Sequence, residues 1–158
     1  MIQRKQTLYL LFVACVSAAL FFLPLVKYED DPIEYNYYIT GMKCISAACG
    51  QIPKVSATDY LIISNNVAVF LVAMVSIFMF KNRRLQILLT KLNLLLICLL
   101  MVLILTIDKG SILGVTAPVV RSPLPWSYLP VLSVVCCILS VKAIKKDEEL
   151  VRSADRIR

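Results

Sequence analysis

The chain has 158 residues, 59% of them hydrophobic and 17% charged, where a soluble domain of this length runs at about 45–50% and about 25%. With a mean hydropathy of +0.80, the composition excludes a disordered chain, a collagen, a coiled-coil rod and a secreted disulfide scaffold, and it reads as a membrane protein. The formal charge is +7, from 17 Lys+Arg against 10 Asp+Glu, and there is no His. The commonest general base, the commonest metal ligand and the imidazole-ligated haem sites are therefore missing, and no metal or other cofactor is expected. Basic residues flanking apolar blocks serve anionic lipid and the insertion machinery, so the positive charge is assigned to the bilayer and not to nucleic acid.

A helix needs about 20 apolar residues to cross a hydrocarbon core of about 30 Å. Four runs qualify, and the first covers residues 7–26, closed by Pro24 and Lys27. Its basic start and the small Ser17-Ala18-Ala19 also fit a signal peptide, and Cys15 after Val13-Ala14 fits a lipoprotein site. The run is longer than an h-region of about 7–15 residues and stays apolar beyond Cys15, so it is read as a retained span.

Residues 27–59 then form a loop too long for a plain connector. Within it, residues 33–40 are rich in aromatic and β-branched side chains and run into Gly41, the pattern of a strand and a turn. Cys44 and Cys49 lie just beyond, and a bridge between them would clamp the turn; on an oxidising face a structural disulfide is the expected state. The spacing is not the Cys-x-x-Cys of thiol oxidoreductases.

The second run, residues 60–80, carries no charge, and the third, residues 85–107, is interrupted by Lys91 alone. The short link between them makes the two antiparallel neighbours, and Lys91 is read as a snorkelling anchor. Asn65, Asn66 and Asn93 should face other helices, because an amide left in hydrocarbon without a partner is costly. Ala14-Ser17-Ala18 and Ala68-Ala73-Ser76 offer small surfaces for close helix approach. Residues 112–120 form a second β-like stretch, so a small antiparallel sheet should cap the helices.

The fourth run covers residues 126–144 and starts between Trp126 and Pro130, since proline is tolerated in a first turn. Residues 142–158 lack Gly and Pro and continue it as a charged tail helix. Ile144, Leu150 or Val151, Ala154 and Ile157 give the tail a thin apolar seam, and Glu148 sits four residues before Arg152. The expected fold class is an all-α membrane protein, a single four-helix transmembrane bundle over residues 1–158 with an extracytoplasmic β-like cap.

Orientation follows from Lys and Arg near the span ends. Twelve lie on the side of the termini and five (Lys27, Lys43, Lys54, Lys109 and Arg121) on the other, which places both termini in the cytoplasm. Tyr60, Trp126 and Tyr128 suit an interfacial aromatic belt.

The opening Met1-Ile2-Gln3-Arg4, Gln6-Thr7 and Tyr9-Leu10-Leu11, with the closing Lys146-Asp147-Glu148-Glu149-Leu150-Val151-Arg152-Ser153-Ala154-Asp155-Arg156-Ile157-Arg158, resemble a known family. It is the group of small integral-membrane proteins of Bacteroidota catalogued as domain of unknown function 4293. The resemblance spans the chain, with Lys5 standing where members often carry an aliphatic residue. It implies a bacterial inner-membrane location and brings no activity, ligand or cofactor.

Bilayer anchoring requires neither Gln3 nor the order Asp147-Glu148-Glu149. Gln3, Arg4 and Gln6 are therefore expected to meet the tail, through Asp147, Glu148, Glu149, Arg152, Asp155 and Arg156, either directly or on a common protein partner. The function read from the sequence is a non-enzymatic accessory or scaffold subunit that binds protein partners, or itself, through its cytoplasmic ends and its extracytoplasmic loop. Two other classes stay open: a small transport or channel component that forms its pathway by oligomerising, and a thiol-redox membrane protein using Cys44 and Cys49.

Overall fold

The computed structural model describes residues 5–30, 33–45, 57–79, 82–106 and 120–156. In chain order these form α1 (Lys5–Ala19), β1 (Val26–Asp30), β2 (Ile33–Tyr38), β3 (Gly41–Cys44), α2 (Ala57–Phe78), α3 (Arg83–Thr106) and β4 (Val120–Pro123). A 3-10 turn, Pro125–Tyr128, then leads into α4 (Leu129–Arg156). Of the helical stretches described, α2, α3 and Pro125–Asp147 are long and apolar enough to cross a membrane, while Gln6–Ala19 is a shorter apolar helix.

That shorter helix is where the structure departs from the expected first span over residues 7–26. The chain leaves α1 through a tightened turn, with Phe21 N–H donating to the Ala18 carbonyl and Phe22 N–H to the Ala19 carbonyl. Pro24 cannot donate a helical hydrogen bond and biases Leu23 away from helical geometry. The apolar residues that follow join the sheet instead. Leu25 N–H donates to the Tyr37 carbonyl at 2.7 Å, the Leu25 carbonyl accepts from Leu124 N–H at 3.0 Å, and Val26 opens β1.

The sheet is antiparallel throughout, in the order β3-β2-β1-β4. Of its two inner strands, β2 and β1, the latter comes from sequence assigned to the first span and the loop behind it. β4 pairs residues 120–123 with β1, and the earlier part of the expected second stretch, 112–119, lies outside the described residues. One face alternates Val26 and Tyr28 with Tyr35 and Tyr37, all buried; the other carries Lys27, which bonds Glu29 at 3.0 Å and Glu34 at 2.9 Å. This is the period-two pattern of a sheet with one packed and one solvated face. Gly41, at φ 128°, closes the β2–β3 hairpin in a backbone region that a side chain would strain.

α1 packs on α2 and α4, and α3 packs on α2 and α4, so the four helices close a ring. The buried face of the sheet merges with Val16 and Leu20 of α1, Ile62 of α2 and Leu100 and Ile104 of α3 in one cluster. The sheet therefore sits across the end of the ring where α1 and α3 finish and α2 and α4 begin. A hydrogen bond ties it to α2: the Tyr37 hydroxyl donates to Asp59 Oδ1 at 2.8 Å. Asp59 is buried in the first turn of α2, where the helix dipole favours a negative charge.

Burial first, and then the Asp59 carboxylate, hold the Tyr37 hydroxyl protonated far above its ordinary value of 10.0. The native state thus keeps a proton that the unfolded chain releases above about pH 10, so this contribution is present at neutral pH and is lost as pH rises beyond that value. Tyr37→Phe should lower stability by about 1–3 kcal/mol at neutral pH, and its unfolding midpoint should fall less steeply with alkali than that of the parent. Thermal unfolding in detergent, followed by Trp126 fluorescence from pH 7 to 11, measures both; identical slopes would remove the pair as the anchor of the sheet.

Candidate functional site

The helices are built inside out relative to a soluble protein. Their outward faces carry Leu71, Leu88, Leu95, Val102 and Leu132, each about half exposed, and Phe78 at 69% exposure. Their inward faces carry Ser17, Asn65, Asn66, Ser76, Gln86, Thr90, Asn93, Ser133 and Ser140, all buried. Water would drive the reverse arrangement, whereas hydrocarbon outside and hydrogen-bonded polar groups inside is the arrangement a bilayer imposes.

Toward the sheet, the inward polar groups are well paired. Ser17 Oγ lies 3.0 Å from both the Asn66 carbonyl and Asn66 Oδ1, and Asn66 Nδ2 returns a bond to the Ser17 carbonyl at 3.0 Å. Asn65 Nδ2 donates to the Leu96 carbonyl at 3.0 Å. Asn66 therefore joins α2 to α1 and Asn65 joins it to α3.

The other half of the interior is polar too, but only partly paired. Gln86 Nε2 donates to the Ser76 carbonyl at 3.1 Å, and Thr90 Oγ1 to the Gln86 carbonyl at 2.8 Å. Ser140 Oγ lies 3.5 Å from the Gln6 carbonyl, at the limit of a hydrogen bond. Gln6 Oε1, Ser76 Oγ, Gln86 Oε1 and both amide atoms of Asn93 are buried with no partner among the described residues. Gln6, Gln86 and Ser140 have no interior role in the sequence reading, whereas Ser76 is expected there on a small surface for helix approach. The available signal was spacing: Ser76 and Ser140 fall seven residues after Val69 and Ser133, and Thr90 and Gln6 seven before Ile97 and Val13.

The terminal motifs divide. Gln3 and Arg4 lie outside the described residues. Gln6 faces inward at 3% exposure, and its backbone carbonyl lies 3.5 Å from Ser140 Oγ of α4. Asp147 is half-buried, and its carbonyl accepts from Arg83 Nη1 of α3 at 3.1 Å. Glu148, Glu149, Arg152, Asp155 and Arg156 lie on the last turns of α4; their side chains are outside what is described.

The free thiols among the described residues are Cys15, Cys98, Cys136 and Cys137. Cys44 is not one of them; it packs, half-buried, against the cluster beneath the sheet, and Cys49 lies outside the described residues. No group of side chains suited to a metal occurs among the described residues. Beside the sheet, an apolar recess of about 450 Å³ opens between Met101, Ile104 and Leu105 of α3, Tyr128 and Val131.

The Ser17–Asn66 junction should be the strongest polar coupling between α1 and α2. Ser17→Ala, Asn66→Leu and the double variant form a cycle whose coupling energy is expected at about 0.6–1.7 kcal/mol, the span for such contacts in lipid. Denaturant titration of the protein in mixed micelles measures it, and strict additivity would place the junction elsewhere.

No curated protein and no solved structure matches the chain. One family model does, over residues 2–157, and the chain belongs to the family described as Domain of unknown function (DUF4293).

Proposed function

We propose that the chain is a four-span protein of the bacterial inner membrane with both termini in the cytoplasm, acting as a non-enzymatic accessory or scaffold subunit for protein partners. The observation that carries this reading is the length of α4. Its backbone is level with the start of α3 at Asp147, where Arg83 reaches it, and it continues to Arg156. Nine further residues at 1.5 Å each project about 14 Å beyond the α2–α3 end of the ring. In sequence that projection mixes acids with bases, although a helix meant only for anionic headgroups gains about 1 kcal/mol per Lys or Arg and is weakened by acids. Mixed charge with an apolar seam suits a helix that meets another helix.

The first span rests on α1, which is about 22 Å long from its 15 residues. Leu8, Leu11 and Phe12 expose apolar surface to the same surroundings as the outer faces of α2 and α3. The sheet then stands outside the membrane, where a Cys44–Cys49 bridge would brace its β3 edge as a structural element. A transport component is the second reading, favoured by the polar interior of the ring, and a thiol-redox role for Cys44 and Cys49 is the third.

Reporter fusions after residues 50, 82, 115 and 158 should report outside, inside, outside and inside; an outside signal at 82 overturns the threading. Photo-reactive residues at Arg152 and Ile157 should crosslink to protein in native membranes, as identified by mass spectrometry. Lipid adducts alone from both positions would remove the subunit reading and promote transport.

A further inference from the structure

Four side chains, one from each helix, define a common level inside the ring: Val13, Val69, Ile97 and Ser133 all border one small pocket. Seven residues, two helical turns or about 10.5 Å, lead from each of them away from the sheet to Gln6, Ser76, Thr90 and Ser140. All four are polar and at most 3% exposed. The independent contacts agree with this count. Gln86 bonds to Ser76 and Thr90 to Gln86, Ser140 approaches Gln6, and Arg83 and Asp147 each lie seven residues from Thr90 and Ser140. Asn93, 0% exposed, lies one turn from Thr90 toward the sheet, and Gln86, 1% exposed, one turn the other way.

Five atoms in this region are buried with no partner among the described residues: Gln6 Oε1, Ser76 Oγ, Gln86 Oε1, Asn93 Oδ1 and Asn93 Nδ2. A buried polar atom left unsatisfied costs about 1–3 kcal/mol, and five within two turns would oppose the close packing of all four helices. Three are amide oxygens that only accept, the Ser76 hydroxyl both donates and accepts, and Asn93 Nδ2 donates. The occupant must therefore donate several hydrogen bonds and accept at least one, and it must be small enough to fit between close-packed helices. Asp59, the one fully buried acidic or basic side chain among the described residues, lies at the opposite end, so the layer itself holds no charged side chain and suits an uncharged occupant.

We propose that this layer is a binding site for internal water, a hydrated polar chamber bounded by Gln6, Ser76, Gln86, Thr90, Asn93 and Ser140 in the half of the ring away from the sheet. Water meets each requirement, since a buried molecule makes about three hydrogen bonds to groups that are otherwise unsatisfied. Between the chamber and the sheet, Val13, Ala14, Val69, Ala73, Ile97 and Cys137 form one buried apolar cluster. The inference does not depend on which partner the tail binds.

Solid-state NMR of the full chain in deuterated lipid bilayers, with 15N in the Asn and Gln side chains and 13C in the Ile and Val methyl groups, tests the site by magnetisation transfer from water. The side-chain amides of Asn93 and Gln86 should receive water magnetisation several-fold faster than the methyl groups of Ile97 and Val69. The Asn93 signal is identified by its loss in Asn93→Leu. Transfer to Asn93 and Gln86 no faster than to Ile97 means a dry layer and overturns the proposal. The same variant supplies an opposite-signed thermal readout. In a hydrated chamber, Leu displaces water and strands Gln6, Ser76 and Gln86, so the unfolding midpoint falls. In a dry layer, Leu removes two unsatisfied atoms, and a raised midpoint overturns the proposal.

Discussion

Polar groups placed in hydrocarbon find no partner in the lipid, and the architecture of this protein follows from that constraint. Between helices in lipid there is no hydrophobic drive, because the outside is as apolar as any leucine, so close packing and interhelical hydrogen bonds carry the association. The Ser17–Asn66 pair does both. Serine is small enough for α1 to approach α2, and the asparagine amide both donates and accepts across the contact. Asn65 repeats the logic toward α3. One pair of adjacent residues on α2 thus positions two neighbours, and α4 completes the ring through α1 and α3.

The same constraint explains why the sheet is where it is. Four helices that meet at one end of a ring leave apolar ends, here Leu20, Ile62, Leu100 and Ile104, that must be covered. A sheet with one aromatic face does this, because Tyr28, Tyr35 and Tyr37 present large apolar bodies to the helix ends with hydroxyls to spare for bonding. Tyr37 uses its hydroxyl on Asp59, which turns a non-directional contact into a fixed one. The opposite face carries Lys27 between two carboxylates and Lys43 over the Tyr38 ring at 4.8 Å, as a water-facing surface should.

Much of this was legible in the sequence, and what was not has identifiable causes. Long uncharged runs are unambiguous, so α2 and α3 lie within a few residues of the runs at 60–80 and 85–107. The first run misled because hydropathy does not distinguish a helix in lipid from a strand packed on helix ends: Leu25 and Val26 are apolar for the second reason. Pro24 was read as closing a helix, whereas the helix ends a turn earlier. Gln86 was passed over because the neighbouring Arg83 and Arg84 mark a membrane boundary, where polar residues are ordinary. Its burial depends on which face of α3 meets α2, and that only the assembled ring reveals. The Tyr37–Asp59 bond joins residues 22 apart in sequence on two kinds of element, and no local pattern announces it.

The division of the interior into a paired half near the sheet and an incompletely paired half near the termini bears on how such a protein can work. The paired half is locked twice over, by interhelical bonds and by the sheet seated on its end, so the ring is stiffest there. At the other end, α1 and α4 are joined through Gln6 and Ser140 at 3.5 Å and α3 and α4 through Arg83 at 3.1 Å, single contacts in place of reciprocal ones. Polar interactions that water can replace are exchanged more readily than those sealed in hydrocarbon, because each broken bond finds a substitute. α4 is the helix whose far end projects beyond the ring, and among the described residues Arg83 holds it at the point where it leaves. A load or partner on that projection would be transmitted into the polar half before it reached the sheet, which makes the Gln6–Ser140 and Arg83–Asp147 contacts the first that an event at that end would change.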